Sequence, residues 1–535
     1  MIRGLMRKEF FIISNFLLLV LLLLHYAFTI PWILGVYLVL YGLGMQDYLQ
    51  KRHTIRRNFP LFGRLRYLAE AIRPELNQYF VESNTDGRPF NREERSIVYA
   101  RSKGELDTTP FGTIADVYAP GYEWVSHSIL PKHVDPKILR ADIGGKQCTK
   151  PYSASLINVG AMSYGSLGKN AVRALGEGAR LGQFATNTGE GGLSPYHLEK
   201  GNDVIWQLGT AYFGARDEDG KFNPRVFQEK ARLDAIKMIE IKISQGAKPG
   251  HGGILPGEKV NQEIADIRGV RVGRDVISPP GHSAFRTPHE LLLFVEQLRD
   301  LSGGKPVGFK LCVGKRHEFL AICRAMDKYG IFPDYIAVDG GEGGTGASPL
   351  EFSNHVGAPG TESLIFVHNA LVGFGLRSEM SLISSGHVVT AFDAIKRLAL
   401  GADHIYMARA MMFSLGCIQA RVCNTNRCPT GVTTNDKHLE AGLVPEDKCV
   451  RVRNFHRATL EAIAGILGAM ALDHTEDLRP WHIARRISFS EARNYSEIYE
   501  YIEQGSLLSG KPTPKSFEKA LALASAESFL PLMHT

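Results

Sequence analysis

Cysteine is scarce in this chain, seven residues in 535. So low and odd a count excludes a secreted disulfide framework and fits a reducing compartment. Cys148, Cys312, Cys323 and Cys449 stand singly and read as ordinary thiols. Net charge is also nearly absent from most of the chain. Of a net +7, the first sixty residues hold Arg3, Arg7, Lys8, Lys51, Arg52, Arg56 and Arg57 against Glu9 and Asp47, which is +5 and leaves +2 for the other 475. A nearly neutral body excludes a nucleic-acid surface built on phosphate attraction. With 44% hydrophobic and 22% charged residues, the composition is that of a folded globular protein. The length suits two or three ordinary domains, or one large barrel with appendages.

Lys, Arg, Asp and Glu are absent from FFIISNFLLLVLLLLHY, residues 10–26, and from IPWILGVYLVLYGLGM, residues 30–45. Each run is about the minimum for a spanning helix. Basic residues flank the pair on both outer sides, and the connecting HYAFTIP has none. The positive-inside rule then predicts a membrane hairpin over residues 1–50 with both ends cytoplasmic. Tyr26, Trp32 and Tyr48 fall near the expected interfaces. The body would sit on the cytoplasmic face of the cytoplasmic membrane. A signal peptide explains this less well, since no A-x-A-like cleavage site follows and the second run is left over. A shallow interfacial anchor is the other reading. Residues 51–130, broken by Pro60, Pro74, Pro89, Pro110 and Pro120, read as a linker and N-terminal cap.

Beyond residue 130, short β-branched runs alternate with helical patterns. The expected strands are 155–163, 184–190, 239–245, 275–280, 306–314, 335–341, 381–387 and 404–410, with amphipathic segments such as 288–301, 316–329 and 390–400 between them. Alternation of this kind signals parallel strands with crossover helices. Eight units point to an α/β fold, a closed (β/α)8 TIM barrel over residues 131–470, with a doubly wound open sheet as the alternative. The tail, 471–535, reads as a helical polar appendage.

Barrels of this type carry their chemistry at the C-terminal strand ends. Ser163-Tyr164-Gly165 follows the first expected strand, NTGEGG (187–192) the second and QGAKPG (245–250) the third. Lys310 lies within the fifth. Asp339 and GGEGGTGA (340–347) end the sixth, Ser385-Gly386 the seventh and Ala408-Arg409 the eighth. Glycine clusters let backbone N–H groups approach an anion, so these late loops fit a phosphate cradle. A flavin mononucleotide, with one phosphate and a redox ring, would suit it. Lys310 on an apolar strand either pairs with a carboxylate such as Asp339 or stands over the electron-rich edge of a flavin.

In GCIQARVCNTNRCPTGV, residues 416–432, Cys417, Cys423 and Cys428 follow a C-x5-C-x4-C spacing. Three unrelated thiols and a zinc site are both weighed against a sulfide cluster. Zinc sites usually show paired C-x2-4-C elements, and a cluster held by three thiolates fits best.

These segments resemble the FMN-containing synthase domain of glutamate synthases. The resemblance runs from about 160 to 433, through GAMSYGSLG, NTGEGG, IKISQGAKPGHGGILPGEKV, ISPPGH, GFKL, DGGEGGTGASP and GCIQARVCNTNRCPTGV. It implies a (β/α)8 barrel that binds FMN and a [3Fe–4S] cluster on Cys417, Cys423 and Cys428. The expected flavin-binding residues are Met162, Ser163, Lys310, Gly340, Gly341, Gly344, Ser385, Gly386, Ala408 and Arg409. Gln245, Lys248 and Arg268 match positions that hold the substrate, and Glu190 matches a proton carrier. The implied reaction joins ammonia to 2-oxoglutarate as 2-iminoglutarate, which reduced FMN converts to L-glutamate.

The chain departs from the family pattern at His251, where a Glu is usual, at Ile254, where a Gln is usual, and at PPGHSAF (279–285), where a longer histidine-rich segment stands. Two further readings follow: an N-alkylglutamate synthase-like enzyme that takes an amine, and a non-catalytic membrane electron-transfer or scaffold subunit. No glutaminase domain or second dinucleotide-binding domain is recognisable. Ammonia is then expected free or from a separate glutaminase subunit, and electrons from ferredoxin or a partner reductase.

Overall fold

A computed structural model describes residues 7–508 and 511–532. The chain divides into two units, Met1–Glu93 and Glu94–Thr535. In the first, helix α1 (Arg7–Phe28) and helix α2 (Pro31–Leu49) form a hairpin. The Tyr37 hydroxyl donates to the Ser14 carbonyl at 2.5 Å and the Tyr41 hydroxyl to Asn15 Oδ1 at 2.8 Å. Phe11 stacks on Tyr48 with ring centroids 5.2 Å apart. Among the described helices, α1 alone is long and apolar enough to cross a membrane, with a mean hydropathy of 2.3. The second expected span falls short because Gln46 and Asp47 lie in the last turn of α2. Helix α3 (Thr54–Asn58) and helix α4 (Phe62–Leu76) follow.

The second unit is built on a closed barrel of eight parallel strands. They are β1 (Ile157–Val159), β2 (Thr186–Asn187), β3 (Val204–Leu208), β4 (Ile236–Lys242), β5 (Val307–Cys312), β6 (Tyr335–Asp339), β7 (Ser381–Ser385) and β8 (His404–Met407). Closure comes from β8 against β1, with Ile405 opposite Ile157. Crossover helices obey ordinary signals. Pro288–Ser302 starts at Thr287, whose hydroxyl accepts from the Glu290 amide while the Glu290 carboxylate accepts from the Thr287 amide, and it stops at Gly303 in the left-handed region. An antiparallel hairpin, Arg140–Ile143 with Tyr152–Ser155, leads into β1. Its Ile143 and Tyr152 join Ile205, Met238, Tyr335, Ile383 and Tyr406 in one buried cluster inside the barrel.

The expected number of strands is right, but one member is wrong. Residues 275–280 give only Val276–Ile277, which pairs antiparallel with Ile254–Leu255 outside the barrel. Pro279 and Pro280 lack the N–H groups that a central strand needs. The missing strand is β3, buried along its whole length between β2 and β4. Its polar Gln207 hides it from a search for apolar runs. The side chain points into the barrel, where its amide donates to Glu240 Oε1 at 2.6 Å beside the Asn187 amide at 2.9 Å.

The tail is only partly helical. Ile483–Arg486 lies between Glu123–Val125 and Ala492–Asn494 in a three-stranded antiparallel sheet, and the described α-helices are Tyr495–Ile498 and Lys515–Leu523. Polar alternation such as IARR suits a two-sided strand as well as a helix.

Trp206 is fully buried and stacks on Phe227 at 5.1 Å. Trp206→Ala should cost about 3–5 kcal/mol of stability, whereas Ile277→Ala, at a 68% exposed position, should stay within about 0.5 kcal/mol. Chemical denaturation of the two variants checks which segment carries the barrel.

Candidate functional site

The C-terminal ends of β2 and β4 bring four charged side chains together. Glu190 lies on the turn Gly189–Gly191 after β2, and Lys242 is the last residue of β4. Lys242 Nζ stands 2.7 Å from Glu190 Oε1. Lys248, in the loop after β4, is buried and donates to the Ala347 carbonyl at 3.1 Å. Arg268 closes the helix Gln262–Arg268 and donates through Nη2 to the Tyr164 carbonyl at 2.9 Å. Its guanidinium lies 5.1 Å from the Phe213 ring centroid. Its buried Nε has no hydrogen-bond partner among the described residues. Gln245 is half-buried in the same loop as Lys248.

Three cations thus surround one carboxylate in a buried place. Burial pushes Glu190 up, but Lys242, Lys248 and Arg268 together hold its carboxyl below the usual range. Burial pulls Lys248 down to about 8 against the opposing effect of Glu190. Burial likewise brings Arg268 down to about 10, again with Glu190 opposing. Buried cations in excess of their partners are costly unless an anion arrives. The arrangement carries two positive charges in excess of neutrality and suits a dianion.

The expected flavin-binding residues gather at the ends of β1 and β5–β8. Lys310 Nζ pairs with Asp339 Oδ2 at 3.1 Å, both buried, so the carboxylate partner named from sequence is the one present. Asp339 Oδ2 also accepts from the Gly246 amide at 3.0 Å. A Cβ on Gly246 would lie 1.9 Å from the Gly340 carbonyl, so only glycine lets the loops after β4 and β6 touch. Gly341 donates to Ala358 at 2.8 Å, and Gly340 to the Ser385 carbonyl at 3.3 Å. A Cβ on Gly344 would meet Arg409 Cδ at 2.7 Å. Arg409 itself is lowered by burial and donates to the Glu342 carbonyl at 2.7 Å. Gly386, beside Gly340, has φ near +100°. Ala408 packs against Gly160, and the Met162 amide donates to the Asn187 carbonyl at 3.5 Å. Ser163 donates to the Ser166 hydroxyl at 3.1 Å.

The cysteine loop leaves β8 through the short helix Arg409–Ser414. Gln419, Arg421 and Asn426 all hold φ near +58°, an unusual density of left-handed non-glycine residues. Cys417 Sγ accepts from the Gln419 amide at 3.5 Å, and burial pushes this thiol up to about 12. Cys428 goes the other way: burial raises it, but hydroxyl and amide groups of Thr430 and Thr433 more than offset that. Lys259 ties the loop to the end of β1, donating to Ser166 O at 2.7 Å and to Cys423 O at 3.2 Å. Burial lowers Lys259 to about 8, with Cys423 and Cys428 opposing. No group of three His, Cys, Asp or Glu among the described residues is placed for a single metal ion, as a zinc site on these thiols would require.

Residues 131–473 match the model of the conserved region in glutamate synthase. The chain belongs to the glutamate synthase family. It is similar to the glutamate synthase large subunit-like protein YerD of Bacillus subtilis (strain 168), 39% identical over 496 residues, covering 85% of this chain and 94% of that one. It is also 37% identical over 321 residues to the archaeal-type glutamate synthase (NADPH) of Thermotoga neapolitana, covering 60% of each. The ferredoxin-dependent chloroplastic glutamate synthase of Spinacia oleracea is 31% identical over 331 residues, 60% of this chain and 20% of that one. This chain thus spans 60% and 20% of the length of those two relatives. Among solved structures, mandelate oxidase with (S)-4-hydroxymandelic acid aligns at 15% identity and a TM-score of 0.42, covering 72% of this chain and 95% of that one.

Within this glutamate synthase family chain, the sequence reading missed Lys242, Lys259 and His282. Lys242 carries the signal that singles out Lys310, a lysine inside a buried strand. Burial lowers His282 to about 4, so it stays neutral: its Nε2 donates to the Lys242 carbonyl at 2.9 Å and its Nδ1 accepts from the Tyr212 hydroxyl at 3.0 Å. Lys259 has no such signal, since its partners lie 93 and 164 residues away.

Asp339→Asn leaves Lys310 buried with its ion pair broken and should destabilise the protein by about 3–5 kcal/mol. The double variant Lys310→Met with Asp339→Asn should recover much of that loss in chemical denaturation.

Proposed function

We propose that the chain catalyses the reductive amination of 2-oxoglutarate to L-glutamate. The observation that carries this reading is the buried set of Lys242, Lys248 and Arg268 around Glu190, two positive charges in excess of neutrality. A dicarboxylate balances those two charges, and Arg268 offers a fork suited to one carboxylate. Family membership supports the same chemistry.

The residues present fit FMN and a cluster. The glycine-rich loop of Gly340, Gly341 and Gly344 packs directly against the buried cation Arg409, a combination of close backbone and positive charge suited to a phosphate. The donor set of Cys417, Cys423 and Cys428 is the soft set that iron–sulfur chemistry requires. FMN, when bound, would supply the hydride, and a [3Fe–4S] cluster on those cysteines the electrons, drawn from ferredoxin or a partner reductase. The chain's own residues do the rest. Lys248 and Arg268 hold the substrate carboxylates, and Gln245 stands beside them for the keto oxygen. Ammonia, free or from a glutaminase subunit, adds to the keto carbon. Glu190, kept ionised by its three cations, takes a proton from the attacking nitrogen and returns one as water departs, leaving 2-iminoglutarate. Hydride addition at that carbon and protonation of nitrogen complete L-glutamate. The hairpin of α1 and α2 anchors the chain in the cytoplasmic membrane with the barrel on the cytoplasmic side; the hydropathy of α1 and the basic flanks support this.

Incubating the reduced protein with ammonia and 2-oxoglutarate should yield L-glutamate. Lys248→Ala should lower kcat/KM at least about 100-fold while flavin and iron content stay unchanged. Equal turnover in that variant would sink the assignment. Because Lys248 titrates near 8 and must be charged to hold a carboxylate, 2-oxoglutarate affinity should fall as pH rises through about 8. Lys248→Arg should move that inflection upward out of the range, as a binding titration across pH 7–10 would read.

A further inference from the structure

Helix α4 plays no part in the site, and one face of it is apolar and uncovered. At 100° per residue, Phe62, Leu65, Leu68, Ala69, Ile72 and Leu76 share an arc of about 120°. Phe62, Ile72 and Leu76 are 45% exposed and Leu68 58%. Tyr79 and Phe80 extend the apolar set through the turn Asn77–Val81, with Phe80 82% exposed. Arg66, Glu70 and Arg73 border the arc on one side, and Arg64 and Glu75 on the other. A continuous stripe about 20 Å long is not the scatter of single apolar residues normal at a surface.

Two more observations say what covers it. Residues 51–73 hold Lys51, Arg52, Arg56, Arg57, Arg64, Arg66 and Arg73 against Glu70 alone, a net +6. And α4 starts where the apolar hairpin ends. Asp47, in the last turn of α2, is fully buried and pairs with Arg56 at 2.5 Å and Arg64 at 2.7 Å while accepting from the Leu61 amide at 3.2 Å. Those bonds bind the base of α4 to the end of the hairpin. An amphipathic helix with basic residues, held at that end, has the signature of an interfacial helix.

We propose that α4 lies in the interfacial plane of a bilayer containing anionic lipid, apolar face inward, as a membrane contact additional to the hairpin. This rests on the reading of α1 and α2 as a membrane anchor. The test uses the full chain in phosphatidylcholine vesicles with and without phosphatidylserine, read by hydrogen exchange and by retention after an alkaline carbonate wash. With phosphatidylserine, amides of residues 65–76 should exchange at least tenfold more slowly than in Leu65→Glu/Leu68→Glu/Ile72→Glu. That variant should stay in the washed vesicles with barrel exchange unchanged, and Glu70→Gln/Glu75→Gln should keep the protection. Loss of the wild-type chain in the wash removes the anchor and the proposal with it. Retention with unprotected 65–76 overturns the helix placement alone. So does protection without vesicles that grows with protein concentration, which would assign the stripe to a second copy. Equal protection in phosphatidylcholine alone overturns the anionic-lipid preference.

Discussion

The contact between Lys242 and Glu190 is the constraint on which the site depends. Each is costly to bury alone, and each is held where the other must be. One lies at the end of a barrel strand and the other on the turn after a different strand, so the pair sets the spacing of two strand ends. Lys248 and Arg268 then crowd the same carboxylate. The cost of that excess is supplied by the fold, and an incoming dianion would relieve it. The fold thus holds an excess of buried positive charge that favours binding of a dianion.

The same logic recurs one strand over. Lys310 and Asp339 pair across β5 and β6, and Asp339 also fixes the Gly246 amide. That bond pulls the loop carrying Gln245 and Lys248 against the glycines after β6. The residues expected to hold the flavin and those expected to hold the substrate are therefore positioned by one carboxylate. Lys259 does the corresponding work between the cysteine loop and the turn after β1.

Much of this was legible from the residues. Seven of the eight barrel strands, the strand-end polar residues, the cysteine loop and the Lys310–Asp339 pair all follow from pattern and spacing. β3 did not, because Gln207 serves a partner, Glu240, on the next strand, and a polar residue inside a short apolar run looks like an interruption. Residues 275–280 were over-read because β-branched residues before two prolines resemble a strand until its partner is known. The tail strand Ile483–Arg486 depends on pairing with Glu123–Val125, some 360 residues earlier by the register of Trp124 with Ala484.

The sequence by itself determined the fold class, the family and the kinds of chemistry on offer. Periodicity, glycine placement and cysteine spacing are local properties, and they need no knowledge of what lies across the barrel. Only the tertiary structure decided which charges meet. Lys242, Lys248 and Arg268 become one electrostatic site because barrel closure brings them to Glu190, and Lys259 becomes a tie because its partners converge from distant loops. Burial then turns those meetings into shifted ionisation, since a charge without water answers to its neighbours.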